Sequence, residues 1–269
     1  MIALPPLDDF KKLTDEDISG FRQKGHTLIK RVLSSSEIAV YRPVIVGAAK
    51  KYNTEKRSLQ NRDTYGKAFL QTMNLWQADA NTRKFVLAKR MAKIAADLLG
   101  VDNVRLYHDQ ALFKEPGGGP TPWHQDQYYW PIDNNNTVTM WMPLIDIDVE
   151  MGMLTFASGS FTNGAVLNFE ISDESDSAFD SYVKKHNYFI TRAKTMKAGD
   201  ATWHRGFTMH HAGGNNSNRT REVMTIIYVV DGARISPYKN DWQKNDHQKW
   251  LMGKPIGGFI DSELNPRLL

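Results

Sequence analysis

The stretch GDATWHRGFTMHHAGGNNSNRTREVMTIIYVV, residues 199–230, decides how the chain is read. Its opening, DATWHRGFTMHH, is a strand-like run, and GGNNSN is turn chemistry. REVMTIIYVV is then a return strand in which Arg221 shares a face with Val223 and Thr225. The same texture starts near Val104. NVRLYHDQALF, TVTMWMPLID, GMLTFASGS and YFITRAKTM are short strand-like runs separated by EPGGGPTP, DNNN, the polar stretch 170–181 and KAGD. Several short strands at such spacing predict a β-sandwich or barrel.

Upstream of Val104 the sequence is mostly helical. In LTDEDISGFRQKG, Thr14 is an N-cap ahead of an acidic first turn, with Ile18 and Phe21 on one face, and HTLIKRVL is a short strand. SSSEIAVYRPVIVGAAKKY opens with serine caps, and Pro43 predicts a kink or boundary inside it. NTRKFVLAKRMAKIAADLLG reads as one helix, its face traced by Phe85, Ala88/Lys89, Ala92, Ala95/Ala96 and Leu99 and its end marked by Gly100. After Gly232, prolines 237, 255 and 266 among Trp242, Trp250 and Gly257/Gly258 predict an irregular covering over the core. No repeat or linker divides the 269 residues, so one domain is expected, with a helical region over residues 1–103, a β region over 104–232 and a tail over 233–269.

Composition narrows the chemistry. The chain has no cysteine, which excludes disulfides, thiolate metal sites and a cysteine nucleophile, so any metal must be held by His, Asp or Glu. The net charge is +4, but the basic residues are dispersed, and pairs such as Lys50/Lys51 and Lys184/Lys185 read as solvated. No nucleic-acid partner is expected from that pattern. No apolar run approaches the roughly 18 residues that cross a bilayer, and MIALPPLDDFKK lacks the order of a signal peptide. A cytoplasmic protein without a membrane partner is the expectation; the oligomeric state is left open.

Within TPWHQDQYYWPID, residues 121–133, His124 and Asp126 stand two apart, and in an extended segment both project to one side. His210 lies in the later strand-like run. Two histidines and one carboxylate form the facial triad of Fe(II) oxygenases, and zinc hydrolases use the same set, so oxidative and hydrolytic sites are both open at this point. Arg221 offers a fixed cation that can capture a carboxylate from outside the protein. The aromatics Trp123, Tyr128, Tyr129 and Trp130 are candidates for pocket walls or core.

TPWHQDQYYWP, then MWMPLIDIDVEMGMLTFASGS, then GDATWHRGFTMHHAGGNNSNRTR resemble, in that order, the phytanoyl-CoA dioxygenase family of non-haem Fe(II), 2-oxoglutarate-dependent dioxygenases, and LTDEDISGFRQKGHTLIKRVLS resembles that family's opening. The resemblance implies a mainly β fold with N-terminal helices, built on a cupin-like jelly-roll (double-stranded β-helix) of eight core strands. It implies iron ligands His124, Asp126 and His210. The family's spacing from the last ligand, counted from His210, falls on Gly213, Asn215, Ser217 and Arg221; counted from His211 it reaches Asn218 and Glu222 and fails. Arg221 is thereby implied to hold the distal carboxylate of 2-oxoglutarate, with Thr139 sharing that carboxylate and Gln110 contacting the co-substrate. His204 and His211 stay outside the triad as packed or supporting histidines.

The implied reaction consumes 2-oxoglutarate and O2, releases succinate and CO2, and hydroxylates an unactivated C–H bond of a small molecule, such as a natural-product intermediate. Relatives that halogenate lack the carboxylate retained here as Asp126. A zinc hydrolase or another cupin-like metalloenzyme is the alternative reading. Substrate contacts are expected from residues 65–76 and from the long turn near 170–185.

Overall fold

The computed structural model describes residues 4–166 and 171–269. Thr14 caps α1 (Asp15–Lys24) in a reciprocal capping box with Asp17, and Gly25 closes it at φ 78°. Ser34 and Glu37 repeat the device at the start of α2 (Ser35–Tyr52). Pro43, expected to kink or bound that segment, lies inside a helix that runs on past it, because Ile38, Tyr41, Ile45, Ala48 and Ala49 bury on both sides of the proline. The short α3 (Thr64–Ala68) and α4 (Leu75–Ala78) follow.

The single helix expected over 81–99 is instead two, α5 (Ala80–Val86) and α6 (Lys89–Leu99), divided where Ala88 turns extended at φ −65°, ψ 132°. The two pieces serve different partners: α5 packs on α2, and α6 lies over the outer face of the large sheet. A straight helix could not reach both.

The strands are β1 (His26–Ile29), β2 (Leu70–Met73), β3 (Val104–Lys114), β4 (Thr121–His124), β5 (Thr137–Pro143), β6 (Ile147–Asp148), β7 (Leu154–Ser158), β8 (Phe189–Arg192), β9 (Thr195–Met196), β10 (Ala201–Arg205), β11 (His210–Ala212) and β12 (Arg221–Val230). A large sheet runs β1-β10-β5-β12-β3-β2 and a smaller one β4-β11-β7-β8, all pairs antiparallel. This is the expected jelly-roll. Leu106, Met140, Met224, Ile226 and Tyr228 pack outward into the helices, while Trp141, Leu154, Phe156 and Val223 cluster between the sheets.

DATWHRGFTMHH is not one strand. Thr208 N–H closes a turn on Arg205 O, so β10 stays in the large sheet and β11 crosses to the small one. Of the long turn expected near 170–185, residue 170 lies outside the described residues; the rest is mostly α7 (Asp173–Lys185), capped by Ser172 and Ser175. Aspartates and serines that signal a turn are also the residues that start helices. The tail is not wholly irregular either: Asn240 caps α8 (Asp241–Trp250). No helix among the described residues is long and apolar enough to cross a membrane.

Candidate metal centre

His124 ends β4, His210 opens β11, and the two are register partners in the small sheet. Each ring is held from behind by a carbonyl two residues earlier. His124 Nδ1 donates to Pro122 O at 2.8 Å, and His210 Nδ1 donates to Thr208 O at 2.9 Å. A carbonyl only accepts, so both protons sit on Nδ1 and both Nε2 lone pairs are free to bind a metal. Burial, reinforced by neighbouring His124, holds His210 well below the ordinary histidine range.

Asp126 arrives by a route other than the expected strand. Gln125 alone is extended (φ −120°, ψ 124°), and Asp126 opens a 3-10 turn that runs to Tyr129. One extended residue is enough to keep positions i and i+2 on one side. Asp126 Oδ1 lies 3.4 Å from His124 Nε2 and 3.5 Å from His210 Nε2. Its Oδ2 accepts hydrogen bonds from Thr139 Oγ1 at 2.9 Å and His204 Nε2 at 3.1 Å. Thr139 and His204 are register partners on β5 and β10. The carboxylate thus bridges the sheets, one oxygen toward each. Burial pushes this carboxyl up, but His210, His124 and His204 outweigh it and hold the group well below the carboxylate range.

One candidate ligand atom from each of His124, Asp126 and His210 falls within 4.8 Å of the others. His204, which the sequence left outside this set, carries its proton on Nε2 because a carboxylate can only accept, and its Nδ1 has no partner. It offers a donor where the other two offer lone pairs. His211 points away, its ring centroid 4.2 Å from that of Trp123, which packs with Phe179 and Val183 of α7.

Arg221, the register partner of Lys114, opens β12 with 1% of its surface exposed. Burial draws its guanidinium down to about 9. It donates to Gly152 O and lies 5.3 Å over the Trp141 ring; its Nε has no partner, and among the described residues no carboxylate pairs with it. Neutral imidazole nitrogens with one carboxylate oxygen suit iron, and a buried guanidinium with donors to spare suits a carboxylate ligand, so the residues fit Fe(II) and 2-oxoglutarate.

Both sets of groups line one cavity of about 1030 Å³. Gln110 lines it and accepts from Gln71 Nε2 at 2.8 Å. Thr139 also lines it, but its hydroxyl is engaged by Asp126. Tyr129 and Trp130 form walls, whereas Trp123 and Tyr128 do not. From the segments expected to touch substrate, Tyr65, Phe69, Gln71 and Met73 line the cavity, as do Ile171 and Ser172 at the start of α7. The sequence reading missed α8, which supplies Trp242, Asp246, Lys249 and Trp250. The signal was their spacing of three, four and seven to eight residues, which puts them on one helical face behind the Asn240 cap.

Two facing antiparallel sheets with a two-histidine, one-carboxylate centre between them define the double-stranded β-helix oxygenase class. The chain belongs to the phytanoyl-CoA dioxygenase (PhyH) family, which matches residues 21–223. It is 24% identical over 226 residues to a probable alpha-ketoglutarate-dependent hypophosphite dioxygenase of Stutzerimonas stutzeri, covering 79% of this chain and 77% of that protein. It is 27% identical over 172 residues to a phytanoyl-CoA dioxygenase of Arabidopsis thaliana, covering 62% and 59%. Among solved structures, the non-heme alpha ketoglutarate dependent carbocyclase SnoK from nogalamycin biosynthesis superposes with a TM-score of 0.79 at 24% identity, over 96% of this chain and 97% of that one. The epimerase SnoN, in complex with Fe3+, alpha ketoglutarate and nogalamycin RO, gives 0.77 at 21%, over 95% and 98%.

Proposed function

We propose that the protein is an Fe(II)- and 2-oxoglutarate-dependent dioxygenase that hydroxylates a C–H bond of a free small molecule. The observation that carries this is the convergence of His124 Nε2, Asp126 Oδ1 and His210 Nε2 in the same cavity as the buried Arg221, which has no carboxylate partner among the described residues. Bound there, the metal and co-substrate supply the oxidant: one atom of O2 enters succinate as 2-oxoglutarate loses CO2, and the other enters the substrate as a hydroxyl.

The chain's own residues do the positioning. His124, Asp126 and His210 would hold the metal, and the Pro122 and Thr208 carbonyls keep both imidazoles in the binding tautomer. Thr139 and His204 fix the carboxylate. Arg221, whose guanidinium lies over the face of Trp141, would take the distal carboxylate of 2-oxoglutarate, and Gln110 lines the same cavity. A zinc hydrolase would use the triad but has no role for a buried guanidinium beside it, which ranks that reading second.

Cavity size favours an organic substrate well above a few atoms, since sites for drug-sized ligands run from about 300 to 1,000 Å³. Beyond Arg221, Lys249 is the one lysine or arginine lining it among the described residues, too little to hold the phosphates of a CoA ester.

The test is optical and anaerobic. Fe(II) and 2-oxoglutarate added to metal-free protein should give a visible metal-to-ligand charge-transfer band that Arg221→Ala weakens and Asp126→Ala abolishes. Tight zinc binding through the same residues with no such band would overturn the proposal in favour of the hydrolase.

A further inference from the structure

The wall contributed by α8 contains a carboxyl that the proposed chemistry does not use. Asp246 lines the cavity, and its Oδ2 accepts a hydrogen bond from the Tyr107 hydroxyl. Among the described residues no other hydrogen bond or ion pair engages it. Lys249, one turn along the helix, places its ammonium over Trp250, 4.6 Å from the ring centroid, rather than on the carboxylate. The other two carboxylates in the lining are committed: Asp126 to the triad and Asp63 to the N-terminus of α3, where it accepts from Gly66 N.

Tyr107 reaches Asp246 through a defect in the sheet. Neighbours on a strand face opposite sides, and Leu106 packs outward while His108 lines the cavity. Here the register passes from Leu106 opposite Tyr228 to His108 opposite Ile227, leaving Tyr107 without a partner. This β-bulge turns Tyr107 to the same side as His108, with ring centroids 5.1 Å apart, and sets it tilted against Trp130 with centroids 5.5 Å apart. Tyr107 is fully buried and burial keeps its phenol well above the ordinary range, so it remains a donor. The bulge, the tyrosine and the helix together set Asp246 in the lining of the cavity that Trp130, Trp242 and Trp250 also line.

We propose that Asp246, positioned by Tyr107, selects the substrate: a small aromatic molecule carrying a hydrogen-bond donor, an amine or a hydroxyl, that stacks on the tryptophans and donates to this carboxyl. This deepens the proposed oxygenase function and rests on it for the meaning of "substrate", though not for the binding itself. Burial raises this carboxyl to about 7, so a donor placed on it favours its ionised form, and the three tryptophans of the same lining offer apolar surface to an aromatic ring.

The test uses the full chain and three probes of one shape, tryptamine, tryptophol and skatole, titrated calorimetrically with and without Zn(II) in the triad. Tryptamine and tryptophol, whose side-chain donors skatole lacks, should bind at least tenfold tighter than skatole. Asp246→Asn should erase the preference for tryptamine and reduce that for tryptophol, which separates the amine from the hydroxyl. Tyr107→Phe should reduce both preferences.

Equal affinity for skatole and the donors, no binding by any probe, or preferences untouched by Asp246→Asn would overturn the inference. The charge-transfer band, measured on the same variants, separates this from failure of the oxygenase reading, because Asp246→Asn should leave the band intact.

Discussion

Thr139→Val replaces a buried hydroxyl with a methyl of the same shape and removes one of the two donors to Asp126 Oδ2. A hydrogen bond from a neutral donor to a charged acceptor contributes about 1.5–3 kcal/mol. His204 still donates to the same oxygen, so the lower end applies, and the metal Kd should rise about tenfold, as is usual when a partner of a metal ligand is lost. Anaerobic titration with Fe(II), or with Mn(II) followed by paramagnetic resonance, reads that change directly. Thr137→Val is the control. Thr137 lies two residues earlier on β5 and is equally buried, but its hydroxyl donates to Gln127 Oε1 at 2.8 Å, so its loss should leave the metal Kd unchanged. The family resemblance assigns the Thr139 hydroxyl to 2-oxoglutarate instead. Thr139→Val with normal metal affinity and weakened 2-oxoglutarate binding would refute the argument from Asp126 and restore that assignment.

Two further perturbations follow from the same region. Gly152 sits at φ 79°, and a Cβ there would run into the Gly213 carbonyl while its own carbonyl receives Arg221; Gly152→Ala should cost on the order of 2–4 kcal/mol and weaken 2-oxoglutarate binding. An unchanged melting temperature would count against it. Lys114 is fully buried, and burial, with Arg221 beside it, lowers its ammonium to about 6. Its folded value is depressed below the unfolded one, so the folded chain binds fewer protons between about pH 6 and 10.5, and this residue makes stability rise with pH in that window, by at most roughly 1.4 kcal/mol per unit. Denaturant titrations across pH 7–10 should show a shallower slope for Lys114→Met; equal slopes would refute it.

How much was legible depended on whether the signal was local. Capping boxes at Thr14 and Ser34 involve residues three apart, and the run of β-branched and aromatic residues in β12 is visible in any window. The pair His124 and Asp126 could be read because one extended residue decides where both point. By contrast, the break at Ala88 is set by what α5 and α6 pack against, and the break at Gly206 by which sheet each half joins. The role of Thr139 depends on its register with His204, which no local pattern encodes. Tyr107 is the extreme case: its direction depends on a bulge visible only in the pairing of β3 with β12.

The arrangement also explains why the centre is tied to the fold as a whole. His124 and His210 belong to the small sheet, Thr139 and His204 to the large one, and Asp126 is bonded to both through different oxygens. Pulling the sheets apart by an ångström would break either the pair of donors on Oδ2 or the approach of Oδ1 to the two Nε2 atoms. At the other end of the same gap, the buried Arg221 has no acidic partner among the described residues, and burial with Arg221 alongside lowers its register neighbour Lys114 to about 6. A buried guanidinium without an anionic partner is unfavourable to the folded chain, and a dianion such as 2-oxoglutarate would offset it. A divalent cation at one end and a dianion at the other therefore complement charges that the two sheets must otherwise hold together unaided, so ligand binding and sheet apposition stabilise each other.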